Sequence, residues 1–247
     1  MNYDSLAELY EQQYAHYRDD FAFYRGLAQD YGSPVLELGA GSARISLALA
    51  QAGHQVVAVE TSAAMIAHGQ KRLHAAQCQD YVRYVQADMT SLQLNEHFPL
   101  IIAPFNTLMH AYTLTQQDAC LAAVRAHLAP GGLFACDLYT PNFAQLDVLR
   151  REAVWQHVGG QQSELFVLQH HDPDMQMLES RYYLDTCDSE GYVRRQTFFL
   201  RQRYYQRFEL ERALQQAGFS KVRLYGDFDK RRYSQQAPLM VVLASLA

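Results

Sequence analysis

The chain has 247 residues and a net charge of −5, with 49% hydrophobic and 19% charged residues. That is enough chain for one packed core and too little charge for a disordered one. The acidic balance argues against a face that binds a nucleic-acid backbone. Cys78, Cys120, Cys136 and Cys187 stand far apart with no metal-ligand spacing, so reduced thiols in a cytoplasmic protein are expected, with no disulfide framework and no metal. The first 20 residues are polar and aromatic, and no run of 18 apolar residues occurs, so neither export nor membrane insertion is expected.

Residues 1–31 read as helical, with Tyr3, Tyr10, Tyr14, Tyr17 and Tyr24 recurring near helical periods. Residues 34–38 form a short apolar strand entering the turn Gly39-Ala40-Gly41, and residues 43–52 form a helix closed by Gly53. A strand over 55–59 ends at Glu60, and Thr61 or Ser62 caps a helix to about Ala76. Residues 81–86 form a strand that ends at Ala87-Asp88, and residues 100–105 another. A helix over 115–128 is broken by Pro130-Gly131-Gly132 before a strand over 133–138. Strands alternating with helices predict an α/β fold, a parallel sheet with helices on both faces.

From about Trp155 the period changes. Residues 164–171, 178–186 and 193–205 alternate polar with apolar and predict an antiparallel β meander. Asp172-Pro173-Asp174 and Asp188-Ser189-Glu190-Gly191 supply its turns. A helix over 209–216 and strands over 222–225 and 239–244 close the chain. No linker or repeat interrupts it, so residues 1–247 are expected to form a single domain. Residues 152–207, which hold the meander, would be an insertion in that domain, with residues 1–31 as a helical segment ahead of it.

A glycine-rich turn between a strand and a helix lets backbone approach a ligand closely. Glu60, at the end of the next strand, suits the two hydroxyls of a ribose. Together they point to an adenosine-containing cofactor. A dinucleotide fingerprint needs a third glycine at position 44, where Arg44 stands, and no Gly-Lys-Ser/Thr follows for a P-loop. Glu37 would repel a diphosphate but suits a cationic ligand. S-adenosylmethionine carries a sulfonium and an ammonium and no phosphate.

These residues resemble the first motif of the class I S-adenosylmethionine-dependent methyltransferases, an acidic residue followed by Gly-x-Gly-x-Gly. Here Glu37, Gly39 and Gly41 match, and Ala43 stands at the third glycine. The resemblance implies a Rossmann-like, doubly wound seven-stranded sheet whose antiparallel last strand pairs into the sheet edge. It implies S-adenosylmethionine as cofactor and S-adenosylhomocysteine as product. It places Ala40 and Arg44 in the cofactor turn, Glu60 on the ribose, and Thr61 and Met65 beside the adenine. Asp88, with Met89, would read the adenine amino group, and Pro104, Phe105 and Asn106 would lie near the methionine moiety. Tyr10 would cover the cofactor from the N-terminal helix. The meander resembles the roof of small-molecule members such as the glycine, sarcosine and amino-sugar N-methyltransferases.

Methyl transfer from a sulfonium is a direct displacement, so the protein mainly positions the reacting groups. A base is needed only when the nucleophile arrives protonated. His110, four residues past Asn106, is the candidate base. Tyr17 is the second catalytic candidate, an aromatic face toward the sulfonium. Tyr14 is a candidate substrate contact, and alternation puts Arg201, Arg203 and Tyr205 on one face; turned inward they are candidate substrate contacts that would hold an anionic group, and turned outward, the favoured reading, they are solvated edge charges. The expected partner is a small molecule, an amine being favoured, with no nucleic acid and no membrane; the chain is expected to be a monomer or homodimer. Two rival readings are a non-catalytic cofactor-binding scaffold and an NAD(P)-dependent reductase. The second lacks a Tyr-x-x-x-Lys pair.

Overall fold

The structure is a computed structural model that describes Asp4, residues 6–157 and residues 162–246. Short apolar stretches make the central strands β1 (Val35–Leu38), β2 (Val56–Glu60), β3 (Val82–Gln86), β4 (Phe98–Ala103) and β5 (Leu128–Tyr139). With β10 (Lys221–Tyr225) and β11 (Leu239–Ser245) they form a seven-stranded sheet of order β10-β11-β5-β4-β1-β2-β3. β1 runs parallel to both β2 and β4, so the winding reverses there, and the carboxyl ends flank a crevice.

Strands buried on both faces are apolar throughout, and their period of two sorts side chains between two cores. Val35, Leu100 and Ile102 pack with Tyr24 and Leu27 of α2 (Phe21–Tyr31) and with Ile45 and Leu49 of α3 (Arg44–Ala50). Leu36, Leu38 and Ile101 pack on the other face with Leu121 and Val124 of α5 (Leu114–His127) and Leu210 of α6 (Arg207–Gln216). Ser62 caps α4 (Ala63–Ala75) by accepting from the Met65 amide, and Thr113 with Gln116 forms a capping box on α5.

The N-terminal reading is corrected. Residues 6–31 fold as two helices, α1 (Ala7–Tyr14) and α2, because the segment between them turns to bury Asp20. Residues 1–3 and 5, Tyr3 among them, lie outside the described residues. Pro130-Gly131-Gly132 does not precede β5 but lies within it, in a register shift between Phe98↔Leu128 and Leu100↔Leu133. The last strand is antiparallel, as expected. β11 lies antiparallel between β5 and β10, which leaves β10 outermost.

The meander is a separate four-stranded antiparallel sheet with one strand more than expected. β6 (Arg150–Gln156) pairs with β7 (Gln162–Asp172), followed by β8 (Met177–Cys187) and β9 (Val193–Arg203). Residues 158–161 of the expected insertion lie outside the described residues. Leu6 and Leu9 of the N-terminal segment pack on Leu165 with Trp155, Tyr182 and Leu200, so the second sheet closes over α1.

Candidate active site

A cavity of about 660 Å³ lies between the carboxyl ends of the first sheet, α1 and the inner face of the second sheet. That volume is in the range of small-ligand sites.

The turn after β1 is built from left-handed residues. Gly39 has φ +62°, and a Cβ there would sit 2.6 Å from the Thr107 side chain. Gly41 has φ +54°. Ala43, at the third glycine position, still adopts φ 63°, a conformation that costs an alanine about 1 kcal/mol. The Glu60 carboxylate fastens this turn. It accepts from the Gly41 amide at 2.9 Å and from the Thr61 and Ser62 amides at 2.8 Å each. Asp88 accepts from the amide and hydroxyl of Thr90.

The loop after β4 is strained in the same way. Phe105 has φ 55° and Asn106 φ 67°, and strain of this kind persists only where the surroundings enforce it. Asp137 of β5 does so. Its carboxylate accepts from the Phe105 amide at 3.0 Å and from the Tyr24 hydroxyl at 2.5 Å, and its carbonyl accepts from the Asn106 amide at 3.0 Å. The Asn106 side chain in turn accepts from the Tyr139 amide at 2.6 Å. Burial pushes the Asp137 carboxyl up to about 6. The Phe105 ring thus stands among Tyr14 (4.8 Å), Tyr17 (5.3 Å) and Tyr10 (6.0 Å), with the Arg44 guanidinium over it at 4.9 Å.

Three carboxylates tie the N-terminal segment across the glycine-turn end of the cavity. Asp4 accepts from Ser62 Oγ and the Ala64 amide at the start of α4. Glu11 accepts from Ser42 Oγ and from Arg72. Asp20 forms a buried bidentate pair with Arg44 at 2.7 and 2.6 Å.

The far end of the cavity is aromatic and amide-lined. Tyr14, Tyr112, Tyr139 and Tyr182 border it, with Gln169 and Gln202. Gln169 donates to the Tyr139 hydroxyl at 3.1 Å and to Ser180 Oγ at 3.0 Å, which fixes the wall. His110 lies in the wall with Nδ1 3.4 Å from the Tyr112 hydroxyl; burial lowers it to about 4, so the ring is neutral at pH 7.

Of the residues singled out in the sequence, Tyr10, Tyr14, Gly39, Gly41, Glu60, Thr61, Met65, Asp88, Met89, Phe105, Asn106 and His110 line this one cavity. Others do not. Glu37 is buried behind the turn, where Ser46 Oγ donates to it, and burial pushes it up to about 8. Ala40 is buried, its amide donating to the Val59 carbonyl. The Pro104 carbonyl accepts from the Thr107 hydroxyl, behind the cavity wall. Arg44 and Tyr17 back the Phe105 ring rather than facing the cavity.

Of the two readings of the β9 basic face, Arg201 follows the outward one, and Arg203 and Tyr205 as substrate contacts are corrected. Arg201 turns outward to pair with Glu179 at 3.0 Å. Arg203 reaches the Gln176 side chain and the Tyr112 carbonyl, and Tyr205 is buried in the main core. Leu200 and Gln202 are the residues of β9 that face the cavity. The alternation is as read, but its phase is set by packing against Leu6 and Leu9. Arg150, Glu152, Tyr139 and Tyr182 were missed. Tyr139 and Tyr182 had a signal, at a strand end and in an alternating run. Arg150 and Glu152 had none, because β6 was not anticipated. Among the described residues no group of three or more His, Cys, Asp or Glu could hold a metal, and no helix is long and apolar enough to cross a membrane.

Comparison with known proteins gives this geometry a family context. Residues 35–132 match a family described as a methyltransferase domain. A cypemycin N-terminal methyltransferase from Streptomyces sp is 32% identical over 110 residues, 44% of this chain and 43% of that protein. The chain spans about half the length of the curated relatives it matches. Among solved structures, the CcbJ methyltransferase from Streptomyces caelestis superposes with a TM-score of 0.82 at 25% identity, covering 94% of this chain and 92% of that one. CalS10 from Micromonospora echinaspora, described as an amino pentose methyltransferase bound to S-adenosylmethionine, has a TM-score of 0.76 at 19% identity, over 96% and 97% of the two chains.

Proposed function

We infer that this chain, which carries a methyltransferase domain of the class I S-adenosylmethionine-dependent type, methylates a nitrogen of a small molecule. The observation that carries this reading is a single cavity whose one end joins Gly39, Gly41, Glu60 and Asp88 and whose other end is walled by tyrosines and amides.

The residues present fit the cofactor. The Gly39 turn has no room for a Cβ beside Thr107, as a close backbone approach to a ligand requires. Glu60 lines the cavity; its Oε1 is taken by the amide and hydroxyl of Thr61 and the Ser62 amide, while Oε2 accepts from the Gly41 amide alone and keeps one position for a ribose hydroxyl. Asp88 and Met65 border the space for an adenine. S-adenosylmethionine, when bound, supplies a methyl group activated by a positive sulfur.

The chain's own residues do the rest. Asp137 holds Phe105 and Asn106 in their strained conformation and so sets where the aromatic cluster meets the ligand. Tyr10 and Tyr14 cover the cavity from α1 and exclude water. His110, neutral at pH 7, accepts an N–H of the acceptor and orients its lone pair. Residues 1–31 act as a lid and residues 152–207 as the acceptor cover, within one domain. Nitrogen is the favoured acceptor atom because the names of two similar proteins specify an N-terminal and an amino-sugar substrate.

Calorimetric titration with S-adenosylhomocysteine, with NADH as comparator, tests the cofactor. Micromolar binding of the first alone supports the reading. Cofactor binding without turnover on amines, phenols and acids would instead support a binding scaffold.

A further inference from the structure

The strand that sequence reading missed carries an irregularity beside the cavity. In β6, Arg151 pairs with Phe166 but Ala153 pairs with Leu165, so Glu152 is the extra residue of a β-bulge. In an unbroken strand Arg150, Glu152 and Val154 would share a face. Here Arg150 and Glu152 border the cavity, yet Ala153 and Trp155 pack on the apolar side of α1, and Val154 is 43% exposed. The bulge therefore brings a charged pair and an apolar pair to the same inner side, the kind of re-aiming for which bulges are used near sites.

The charges that border the cavity are unequal. Glu60, Asp88 and Glu152 are acidic; Arg150 is the fixed cation among the described lining residues. Glu60 is compensated by three backbone amides and Asp88 by the amide and hydroxyl of Thr90. Glu152 pairs with Arg150 at 3.4 Å in a partly exposed and therefore weak ion pair, and the Arg150 guanidinium also donates to the Gln145 carbonyl at 3.0 Å. Glu152 borders the same cavity as Tyr14 and Tyr182 and acts electrostatically on both hydroxyls. Its side chain is 35% exposed, at the mouth of the cavity. A cavity wall that carries both a carboxylate and aromatic rings suits an ammonium group.

We propose that Glu152, with the rings of Tyr14 and Tyr182, selects the acceptor by taking an ammonium group other than the neutral nitrogen that is methylated, on a molecule that carries no phosphate. This rests on the methyl-transfer reading of the same cavity and names its substrate class. A phosphorylated or nucleotide-linked acceptor is disfavoured, because its anion would meet three carboxylates in the lining against one arginine that already pairs with Glu152.

The test uses two probes of the same shape, choline and its uncharged isostere 3,3-dimethylbutan-1-ol. Each is titrated into the full chain with and without S-adenosylhomocysteine. Choline is expected to bind about tenfold tighter than the alcohol, a charge-over-ring effect at a partly desolvated site. Glu152→Gln is expected to remove that preference while leaving affinity for the alcohol and for S-adenosylhomocysteine unchanged. Tyr182→Leu is expected to weaken choline as well, and decides the matter should the first variant not fold. Equal affinity of the two probes for the wild type, or a choline preference that survives both substitutions, overturns the proposal. Failure of S-adenosylhomocysteine to bind overturns the methyl-transfer reading instead, and the titration without it still reports on Glu152.

Discussion

Asp20 and Arg44 form a bidentate ion pair that joins the start of α2 to the start of α3, and both side chains are buried. The guanidinium is also sandwiched among Tyr17, Phe21 and Phe105. Arg44 thus supports the cofactor loop from behind and holds the N-terminal segment to it. Removing the carboxylate leaves a buried cation with no counter-charge. Asp20→Ala should therefore cost about 3–5 kcal/mol of folding stability. Denaturant unfolding measures this, and a loss under about 1 kcal/mol would show that water reaches the arginine.

Glu60 is the acceptor for three backbone amides and borders the cavity. Glu60→Ala should weaken S-adenosylhomocysteine binding by about 1.5–3 kcal/mol, through lost charge-assisted bonds and a loosened turn. Calorimetry reads the change directly. Unaltered affinity would remove Glu60 from the cofactor site.

His110 is neutral well below physiological pH because burial lowers it to about 4. Its protonation therefore imposes no loss of rate between pH 6 and 7. His110→Ala should slow transfer by about 10²-fold, the low end for a general base, because so weak a base orients a proton more than it removes one. Affinity for S-adenosylhomocysteine should not change. A rate matching the wild type would assign His110 to the wall alone.

Glu37 ties stability to pH. Its carboxyl is pushed up to about 8 by burial, against an ordinary value of 4.5. Between those values the folded chain keeps a proton that the unfolded chain has lost, so stability falls as pH rises through that window. Asp137, pushed up to about 6, acts with the same sign over a narrower range. The Tm of the wild type should drop from pH 5 to pH 8, and Glu37→Gln, which has nothing to titrate, should drop less. Parallel curves would show that Glu37 is ionised in the folded chain.

The parallel sheet was legible because its apolar strands end in the residues that make the site. Gly39, Glu60, Asp88 and Phe105 each follow or end a strand, and all four line the cavity. What was hidden depends on contacts remote in sequence. Glu37 reads as a ligand for a cation until Ser46, nine residues on, is seen to bond it. Arg44 reads as a turn residue until Asp20 is seen to hold it. The face of β9 that turns inward depends on Leu6 and Leu9, nearly two hundred residues away, and no local pattern states that phase. The bulge at Glu152 is invisible for the same reason, since only the partner strand reveals that two residues oppose one.

Arg150, Glu152, Gln169, Tyr182, Leu200 and Gln202 all belong to one continuous insertion between β5 and α6, whereas Gly39, Glu60 and Asp88 belong to the strands before it. One wall of the cavity is therefore separable in sequence from the other: replacing that stretch would change the first and leave Gly39, Glu60 and Asp88 where they are.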